Sequence, residues 1–445
     1  MWLDIYEKNL KYCIHGLGTG FEIHGTTKAM VEGIGSIVRD IDGKEYIDFV
    51  SGTMTPLAVG YNHPKVVEAI KRQADKLVHV ASWFPTPARV ELAEKLAKIA
   101  PYRMKDNCKT IFSCSGSDAI ELAVIFAMSY LKRSEVISLE QGYHGRTIAC
   151  VNMAGWGGMK TPAGYPLPRI GGFHQIPPAY CYRCPWGQAY PGCDLECAQA
   201  LESAIEHACA ASNVAAFILE PILGPAGHIP FPPEYYKLVR DICNKHGILI
   251  IVDEIQLSLG RTGKVWASET QGLEPDIIAT GKGISGGMPL AATMIRADMV
   301  DDELTTGDWG LFTYSGTPIV CAAGSAAIDI MIEERLPEKA ARQGGRITKR
   351  LREMQDKHPL IGDVRGPGLF IGVEFVKDKQ TKKRAAEEAK KISSKMFEKG
   401  VITGLNMTAG PLANVLKIKP PLAISDEQVD TAMEKLEESL NETEG

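Results

Sequence analysis

The residue with the clearest chemical potential is Lys282, which lies in the segment DIIATGKGISGGMPL. The apolar run at 276–280 predicts a buried strand that delivers this lysine into a glycine-rich loop. A partly desolvated lysine has a lowered pKa, and its neutral amine is a nucleophile. The glycines would let a flat ligand approach the backbone. The segment indicates covalent chemistry at Lys282, with an exposed loop lysine as the alternative.

A carboxylate, Asp253, ends the run ILIIVDE at 248–254. This run is apolar on both faces, as expected for a strand buried in a parallel sheet. A carboxylate at the carboxyl end of such a strand faces the ligand crevice. It needs a cationic partner to stay ionised there, and a protonated pyridine nitrogen is one. The alternative is a structural aspartate that caps the following loop.

The segment FSCSGSDAIELA at 112–123 predicts a strand that ends at Ser115, Gly116 and Ser117 and is followed at once by a helix. Small residues there leave backbone N–H groups available at a helix N-terminus, which suits a phosphate. The alternative is a capped helix, with Ser115 or Ser117 as the N-cap.

An aromatic residue, Tyr143, follows the predicted strand VISLE at 136–140. Its ring could stack on a flat cofactor or pack in the core. In chain order, these segments supply a phosphate cradle, an aromatic ring, a carboxylate for a ring nitrogen and a lysine amine. Pyridoxal 5'-phosphate requires these four groups. The combination therefore predicts a pyridoxal-phosphate enzyme more strongly than any one segment does.

The elements that must position these residues alternate between strands and helices from about residue 55 to 325. Apolar runs at 110–114 and 215–221 predict strands, and the patterns at 92–100 and 232–246 predict helices. Such alternation is typical of right-handed βαβ units and a doubly wound, mostly parallel sheet. The predicted fold class is therefore α/β.

The two ends of the chain have a different pattern. Residues 36–50 alternate around an Asp-Gly turn, which predicts a β-hairpin. A charged helical segment, a strand pair around GLFIGVEFV and a last helix from Ser425 make up the C-terminal part. We predict that residues 55–328 form the large domain, and that residues 1–54 join residues 329–445 in a small α+β domain.

Composition limits the possible partners. The chain has 445 residues, of which 45% are hydrophobic and 23% charged, which is ordinary for a soluble globular protein. A net charge of −5 offers no attraction to nucleic acid. We expect no membrane span, because no run of about 18 apolar residues occurs. The charged N-terminus and the scattered, odd number of cysteines predict a reduced, cytoplasmic protein.

The chain resembles the class III (ω-type) pyridoxal-phosphate-dependent aminotransferases of fold type I, the aspartate-aminotransferase-like fold. Within this class it resembles the subgroup of dialkylglycine decarboxylase and amino-acid racemases. The resemblance runs from DGKEYIDF at 42–49 to PPLAIS at 420–425, and VDEIQLSLGRTGK…PDIIATGKGISGGMPL is its most specific part. It implies transfer of an amino group from an amino acid or amine to a 2-oxo acid. Racemisation or epimerisation, and decarboxylating transamination, are alternatives on the same scaffold.

The resemblance also implies roles for individual residues. Lys282 would form the Schiff base, Asp253 would pair with the pyridine nitrogen, and Tyr143 would stack on the ring as a catalytic residue. Thr313, in FTYSGTPIVCAA, would reach the cofactor phosphate of the neighbouring subunit, which implies a homodimer with shared active sites, or a tetramer. His144 is expected to be structural rather than catalytic. The other implied cofactor contacts are Ser115, Gly116, Ser117, His144, Glu220 and Gln256.

Three positions depart from the family pattern. Lys417 stands where the family usually has a substrate-gripping Arg, and Lys holds a carboxylate as a point charge rather than a bidentate fork. Pro225 replaces an acidic residue found in this loop in many ω-aminotransferases and related racemases. Thr53 replaces the Gln associated with decarboxylation. The predicted substrate contacts are Thr53, Met54, Trp83 and Lys417, with ordinary core packing as the alternative for Trp83.

Four cysteines form a local cluster, Cys181-x2-Cys184-x8-Cys193-x3-Cys197. Their thiolates could bind Zn²⁺ tetrahedrally, or they could form disulfides. They could also stay reduced and unliganded. The x8 spacing is shorter than in most zinc ribbons, so we expect no metal and treat this cluster as the candidate if one is bound.

Overall fold

The computed structural model describes residues 2–13, 28–52, 54–155, 167, 169–209, 211–301, 312–406 and 413–445. Its strands are β1 (Met30–Ile34), β2 (Ile37–Asp40), β3 (Glu45–Asp48), β4 (Cys108–Ser113), β5 (Glu135–Leu139), β6 (Phe173–Ile176), β7 (Val214–Leu219), β8 (Ile222–Leu223), β9 (Ile229–Pro230), β10 (Leu249–Asp253), β11 (Ile277–Thr280), β12 (Ala291–Arg296), β13 (Ile361–Arg365), β14 (Ile371–Asp378), β15 (Lys383–Arg384), β16 (Val401–Ile402), β17 (Gly404–Leu405) and β18 (Val415–Ile418). Its α-helices are α1 (Trp2–Tyr12), α2 (Pro64–Ala74), α3 (Pro87–Ile99), α4 (Gly116–Leu131), α5 (Ile148–Met153), α6 (Glu196–Ser203), α7 (Pro233–His246), α8 (Ala267–Gln271), α9 (Pro318–Glu333), α10 (Leu336–Lys357), α11 (Ala386–Glu398) and α12 (Asp426–Glu444).

A seven-stranded sheet in the order β4-β12-β11-β10-β7-β5-β6 forms the centre of the molecule. Strand β12 runs antiparallel to both of its neighbours, β4 and β11. The pairs β11–β10, β10–β7, β7–β5 and β5–β6 are all parallel. The predicted doubly wound, mostly parallel sheet is therefore confirmed.

The apolar strands are buried because layers of helices cover both faces of this sheet. All six residues of β7 and all five of β10 are buried. Residues of α6 and α7 pack with side chains from one face, and residues of α4 pack with those from the other. Buried continuous runs of this kind are expected of a covered parallel sheet.

The parallel strands bring the chemically important residues to one edge. Strands β5, β7, β10 and β11 point in the same direction, so their carboxyl ends lie side by side. Ligands of open α/β sheets bind at this edge. The residues at or just beyond these ends are Tyr143, His144, Glu220, Asp253 and Lys282.

Two smaller sheets flank the large one. The predicted hairpin is confirmed, since β2 and β3 pair antiparallel around Gly43, whose φ is +86°. Strand β3 also pairs in parallel with β16, with Ile47 opposite Val401. The sequence did not mark β16, because a two-residue strand is too short to show alternation. The second sheet joins β13, β14, β18 and β17, and the domain boundaries themselves stay a prediction.

The last helix begins where it was predicted. The Ser425 side chain accepts from the Gln428 backbone N–H, and the Gln428 side chain accepts from the Ser425 N–H, forming a capping box. Within the described part of the chain, no helix combines the length and apolarity needed to cross a membrane.

Candidate active site

Lys282 stands at the start of a short 3₁₀ turn, Lys282–Ser285, directly beyond β11. Its φ is +43°, in the left-handed region that a non-glycine residue rarely adopts. Such strained positions persist where the surrounding structure holds them, often at functional sites. Burial lowers the pKa of Lys282, while the carboxylates of Asp253 and Glu220 act in the opposite direction. A readily deprotonated amine is suited to nucleophilic and base chemistry.

Asp253 is held by two contacts. Its Oδ2 lies 2.8 Å from Nδ1 of the buried His144, and its Oδ1 accepts from the Ile255 backbone N–H at 3.0 Å. Both side chains are almost fully buried. These bonds fix the direction of the carboxylate. The sequence places His144 next to Tyr143 but does not reveal which carboxylate it meets, so this positioning role was missed.

Glu220 links two neighbouring loops of the sheet edge. Its carboxylate accepts from the backbone N–H of Tyr143 at 2.9 Å and from that of Gly224 at 3.0 Å. Burial and the nearby Asp253 raise the pKa of Glu220 to about 7, against the opposing effects of His144 and the two N–H donors. Glu220 therefore fixes the loop that carries Tyr143 relative to Asp253.

The predicted phosphate cradle lies at the N-terminus of α4. Ser115 is the N-cap, since its Oγ accepts from the Asp118 N–H, so the capped-helix interpretation is correct for this residue. The Ser117 Oγ accepts from the Arg146 N–H at 3.1 Å. A Cβ at Gly145 would lie 2.3 Å from this oxygen, which excludes side chains there. The helix N-terminus stays suited to an anion.

Two buried polar atoms of the site have no hydrogen-bond partner among the described residues, namely Oε1 of Gln256 and Nε2 of His144. Buried polar groups are normally satisfied, so such atoms indicate a missing ligand or solvent. A Cβ at Gly224 would lie 1.8 Å from the Gln256 Oε1. The glycine therefore makes room for this amide.

These residues fit pyridoxal 5'-phosphate. They offer an amine, a fixed carboxylate, an aromatic residue and a helix N-terminus at one edge of the sheet. The fold and the site thus define a pyridoxal-phosphate-dependent enzyme of fold type I.

Comparisons with known proteins identify the family. Residues 23–440 match the model of aminotransferase class-III, and the chain belongs to this family. It is 40% identical to a leucine/methionine racemase of Thermococcus litoralis over 92% of this chain and 89% of that protein. It is 35% identical to a probable 4-aminobutyrate aminotransferase of Bacillus subtilis, over 94% of each. A Bacillus anthracis aminotransferase structure superposes with a TM-score of 0.89 at 31% identity, covering 99% and 98% of the two chains.

The predicted substrate contacts differ in their burial and in their distance from the site. Thr53 lies outside the described residues. Met54 is partly buried, and the adjacent Thr55 hydroxyl donates to the Gln256 carbonyl oxygen at 3.3 Å, which ties this loop to the site. Lys417 is buried within electrostatic range of Lys282. Trp83 is 69% exposed on the single chain.

Lys419 lies within electrostatic range of Lys417, and Arg261 lies within electrostatic range of Lys419. Lys419 is fully buried, and its Nζ has no hydrogen-bond partner among the described residues. Burial is the main cause that lowers the pKa of Lys419, and Lys417 and Lys282 add to it. Arg261 is also buried and donates to the carbonyl oxygens of Leu369 and Pro420. The Lys-x-Lys pattern at 417–419 was the sequence signal that the two lysines lie together, because alternate residues of a strand share a face.

The four clustered cysteines do not converge on a common point in the structure. All eleven cysteines are unpaired, so the structure contains no disulfide among the four clustered cysteines. No three of the four sulfurs of Cys181, Cys184, Cys193 and Cys197 lie within 4.8 Å of one another. Zinc binding by these four cysteines stays a hypothesis.

Proposed function

We propose that this enzyme transfers an amino group from an amino acid or amine to a 2-oxo acid. The observation that carries the proposal is the position of Lys282, which shares the sheet edge with the fixed carboxylate of Asp253. A single lysine amine at this place could take a proton from the α-carbon of a bound substrate and return it to the carbon of pyridoxal phosphate that would carry the substrate nitrogen.

Each residue has a defined part in this chemistry. Pyridoxal phosphate, when bound, withdraws electrons from the substrate carbon. The Nζ of Lys282 accepts and returns a proton, because burial favours its neutral form. Asp253, oriented by His144, provides the negative charge that holds a proton on a ring nitrogen. Glu220 keeps the loop of Tyr143 in place through the Tyr143 N–H.

Racemisation is the second candidate, because the leucine/methionine racemase is 40% identical. A two-base racemase needs a proton donor on the face opposite the lysine. Pro225 is buried in the turn after β8, where the racemases that the chain resembles often have an acidic residue. Proline carries no proton to donate, and this difference favours amino transfer.

The test is a scan of single amino acids and amines with pyruvate or 2-oxoglutarate, with chiral analysis of the recovered amino acid and an assay for carbon dioxide. We expect amino transfer to be the fastest reaction and racemisation to be slower. Rapid loss of optical purity of one amino acid, without added oxo acid, would replace amino transfer by racemisation. Stoichiometric carbon dioxide release would indicate decarboxylation.

We further propose that Lys417 holds the substrate carboxylate. Burial, and then the nearby Lys282, lower the pKa of Lys417 to about 7. The charged form that attracts a carboxylate therefore exists mainly below this pH. For a carboxylate substrate, kcat/KM should fall about tenfold for each pH unit above 7 on this account.

A Lys417→Arg variant should remove this decrease, because a guanidinium stays charged. An amine substrate that lacks a carboxylate is the control, and its kcat/KM should show no such loss in either protein. If the decrease persists in Lys417→Arg, another group causes it and Lys417 does not bind the carboxylate.

We propose a homodimer with shared active sites. Trp83 and Tyr314 are 69% and 64% exposed, and Phe84 and Phe312 are also exposed. Arg89 joins the two segments by donating to the carbonyl oxygens of Ser82, at 2.7 Å, and Gly316, at 2.9 Å. Exposed aromatic groups of this kind are typical of protein interfaces.

Thr313 lies in this exposed surface, and a subunit mixture tests its role. Thr313→Ala should release cofactor more readily on dialysis than wild type. Mixed with Lys282→Ala and allowed to exchange subunits, it should form heterodimers with one doubly damaged site and one intact site. Activity should then rise above the sum of the separate variants. Confirmed heterodimers without recovered activity would contradict sharing.

A further inference from the structure

A group of three potential metal ligands lies at the opposite edge of the large sheet from Lys282. Glu135 is the first residue of β5, and His174 is in β6. Ile137 pairs with His174 in the parallel register, and alternate residues of a strand share a face. Glu135 and His174 therefore project on the same face. Cys209 approaches them from the segment between α6 and β7.

The three side chains are in contact. The Nε2 of His174 lies 3.0 Å from Oε2 of Glu135, and the Cys209 thiol forms a hydrogen bond with Glu135. Asn213 donates to the other oxygen of Glu135 at 3.3 Å. The sulfur, the imidazole nitrogen and the carboxylate oxygen all lie within 4.8 Å of one another, and all three residues are partly buried.

This donor set matches zinc chemistry. Zn²⁺ binds thiolate sulfur at about 2.3 Å and imidazole nitrogen or carboxylate oxygen at about 2.0–2.2 Å, usually in tetrahedral geometry. Ligand atoms around one such ion are about 3–4 Å apart. Small side-chain rotations would therefore bring the three atoms onto a common ion. The partial exposure leaves room for water as a fourth ligand.

Other groups in the described part of the chain fit less well. Glu202, Glu206 and His246 also lie within 4.8 Å, but this group has no thiol. Glu202 is already neutralised by Lys245, whose Nζ lies 2.7 Å from its carboxylate. The four-cysteine cluster has no three sulfurs within the same distance.

We propose that Glu135, His174 and Cys209 form a zinc site with water in the fourth position. Binding converts the Cys209 thiol to a zinc-bound thiolate and releases one proton to solvent. The ion would tie the segment before β7 to two strands of the sheet, so its role is to stabilise this edge. This zinc site would be independent of the proposed amino transfer.

The test uses the cofactor-loaded enzyme after removal of loose metal, with Zn²⁺ and Co²⁺ as probes. We expect one tightly held Zn²⁺ per chain, a raised melting temperature on its addition, and a sulfur-to-cobalt charge-transfer band with Co²⁺. Cys209→Ser should abolish the band, and both Cys209→Ser and His174→Gln should weaken zinc binding at least about tenfold.

Cys13→Ser is the matched control, because Cys13 is exposed, directly follows α1 and is distant in sequence from the site. This variant should change neither the zinc binding nor the cobalt band. A variant with serine at positions 181, 184, 193 and 197 should keep the ion. Retained cofactor absorbance shows that a variant is folded. If Cys209→Ser does not fold, His174→Gln replaces it in the zinc-binding test. Wild type that binds no zinc, or zinc lost only from the four-serine variant, would overturn the proposal.

Discussion

Lys282→Ala is expected to lower turnover by at least about 10⁴-fold, or about 5 kcal/mol in barrier height. On the proposed function, the variant loses the amine that would bind the cofactor and move the proton. The protein should still fold, because removing a desolvated amine removes a cost of burial. The visible absorbance band of lysine-bound cofactor should disappear, and steady-state assays give the rate.

Lys264→Ala is a matched control, because Lys264 is an exposed lysine in the segment between Asp253 and Lys282. It should keep both the absorbance band and the rate of wild type. A Lys282→Ala protein that retained both would refute the assignment of this lysine.

Asp253→Asn is expected to lower turnover by about 10³-fold, or about 4 kcal/mol, while the protein still folds and binds cofactor. The amide keeps an oxygen for the Ile255 N–H, so the local backbone should hold. Its nitrogen can donate to Nδ1 of His144 if the imidazole changes tautomer. The shape is preserved and the negative charge is lost. A rate within about tenfold of wild type would show that Asp253 is only structural.

Glu254→Gln is the matched control for Asp253→Asn, because it removes a neighbouring buried carboxylate that does not face the site. Glu254 is equally buried, but its carboxylate accepts from the backbone N–H groups of Ala267, at 3.1 Å, and Ser268, at 2.7 Å. Burial raises the pKa of Glu254 to about 7. The variant should lower the melting temperature and leave the turnover of the folded enzyme within about tenfold of wild type.

The sheet and its functional edge were predictable because strand ends are visible in the sequence. The apolar run before Asp253 and the short run before Lys282 each predicted a buried strand, and both strands end within one residue of the prediction. Parallel neighbours place such ends together. The helix predicted over residues 92–100 begins earlier, at Pro87, because Thr86 caps it and proline suits the first turn.

What could not be predicted depends on contacts between distant segments. His144 and Asp253 are separated by 109 residues, and only the sheet order brings them to 2.8 Å. The trio of Glu135, His174 and Cys209 likewise arises from strand register rather than from a local motif. The sequence analysis assigned no place to Lys419, which is fully buried.

The parallel pairing of β3 with β16 has a consequence for synthesis. Ile47 donates its N–H to the Gly400 carbonyl oxygen at 2.8 Å, across more than 350 residues of chain. At about 5–20 residues per second, the ribosome completes this partner roughly 20–70 s after the hairpin emerges. During that interval the β3 edge presents unpaired peptide groups, which favour association with other nascent chains. Chaperone demand should therefore be greatest before residue 400 is made, and C-terminal truncations that remove β16 should aggregate.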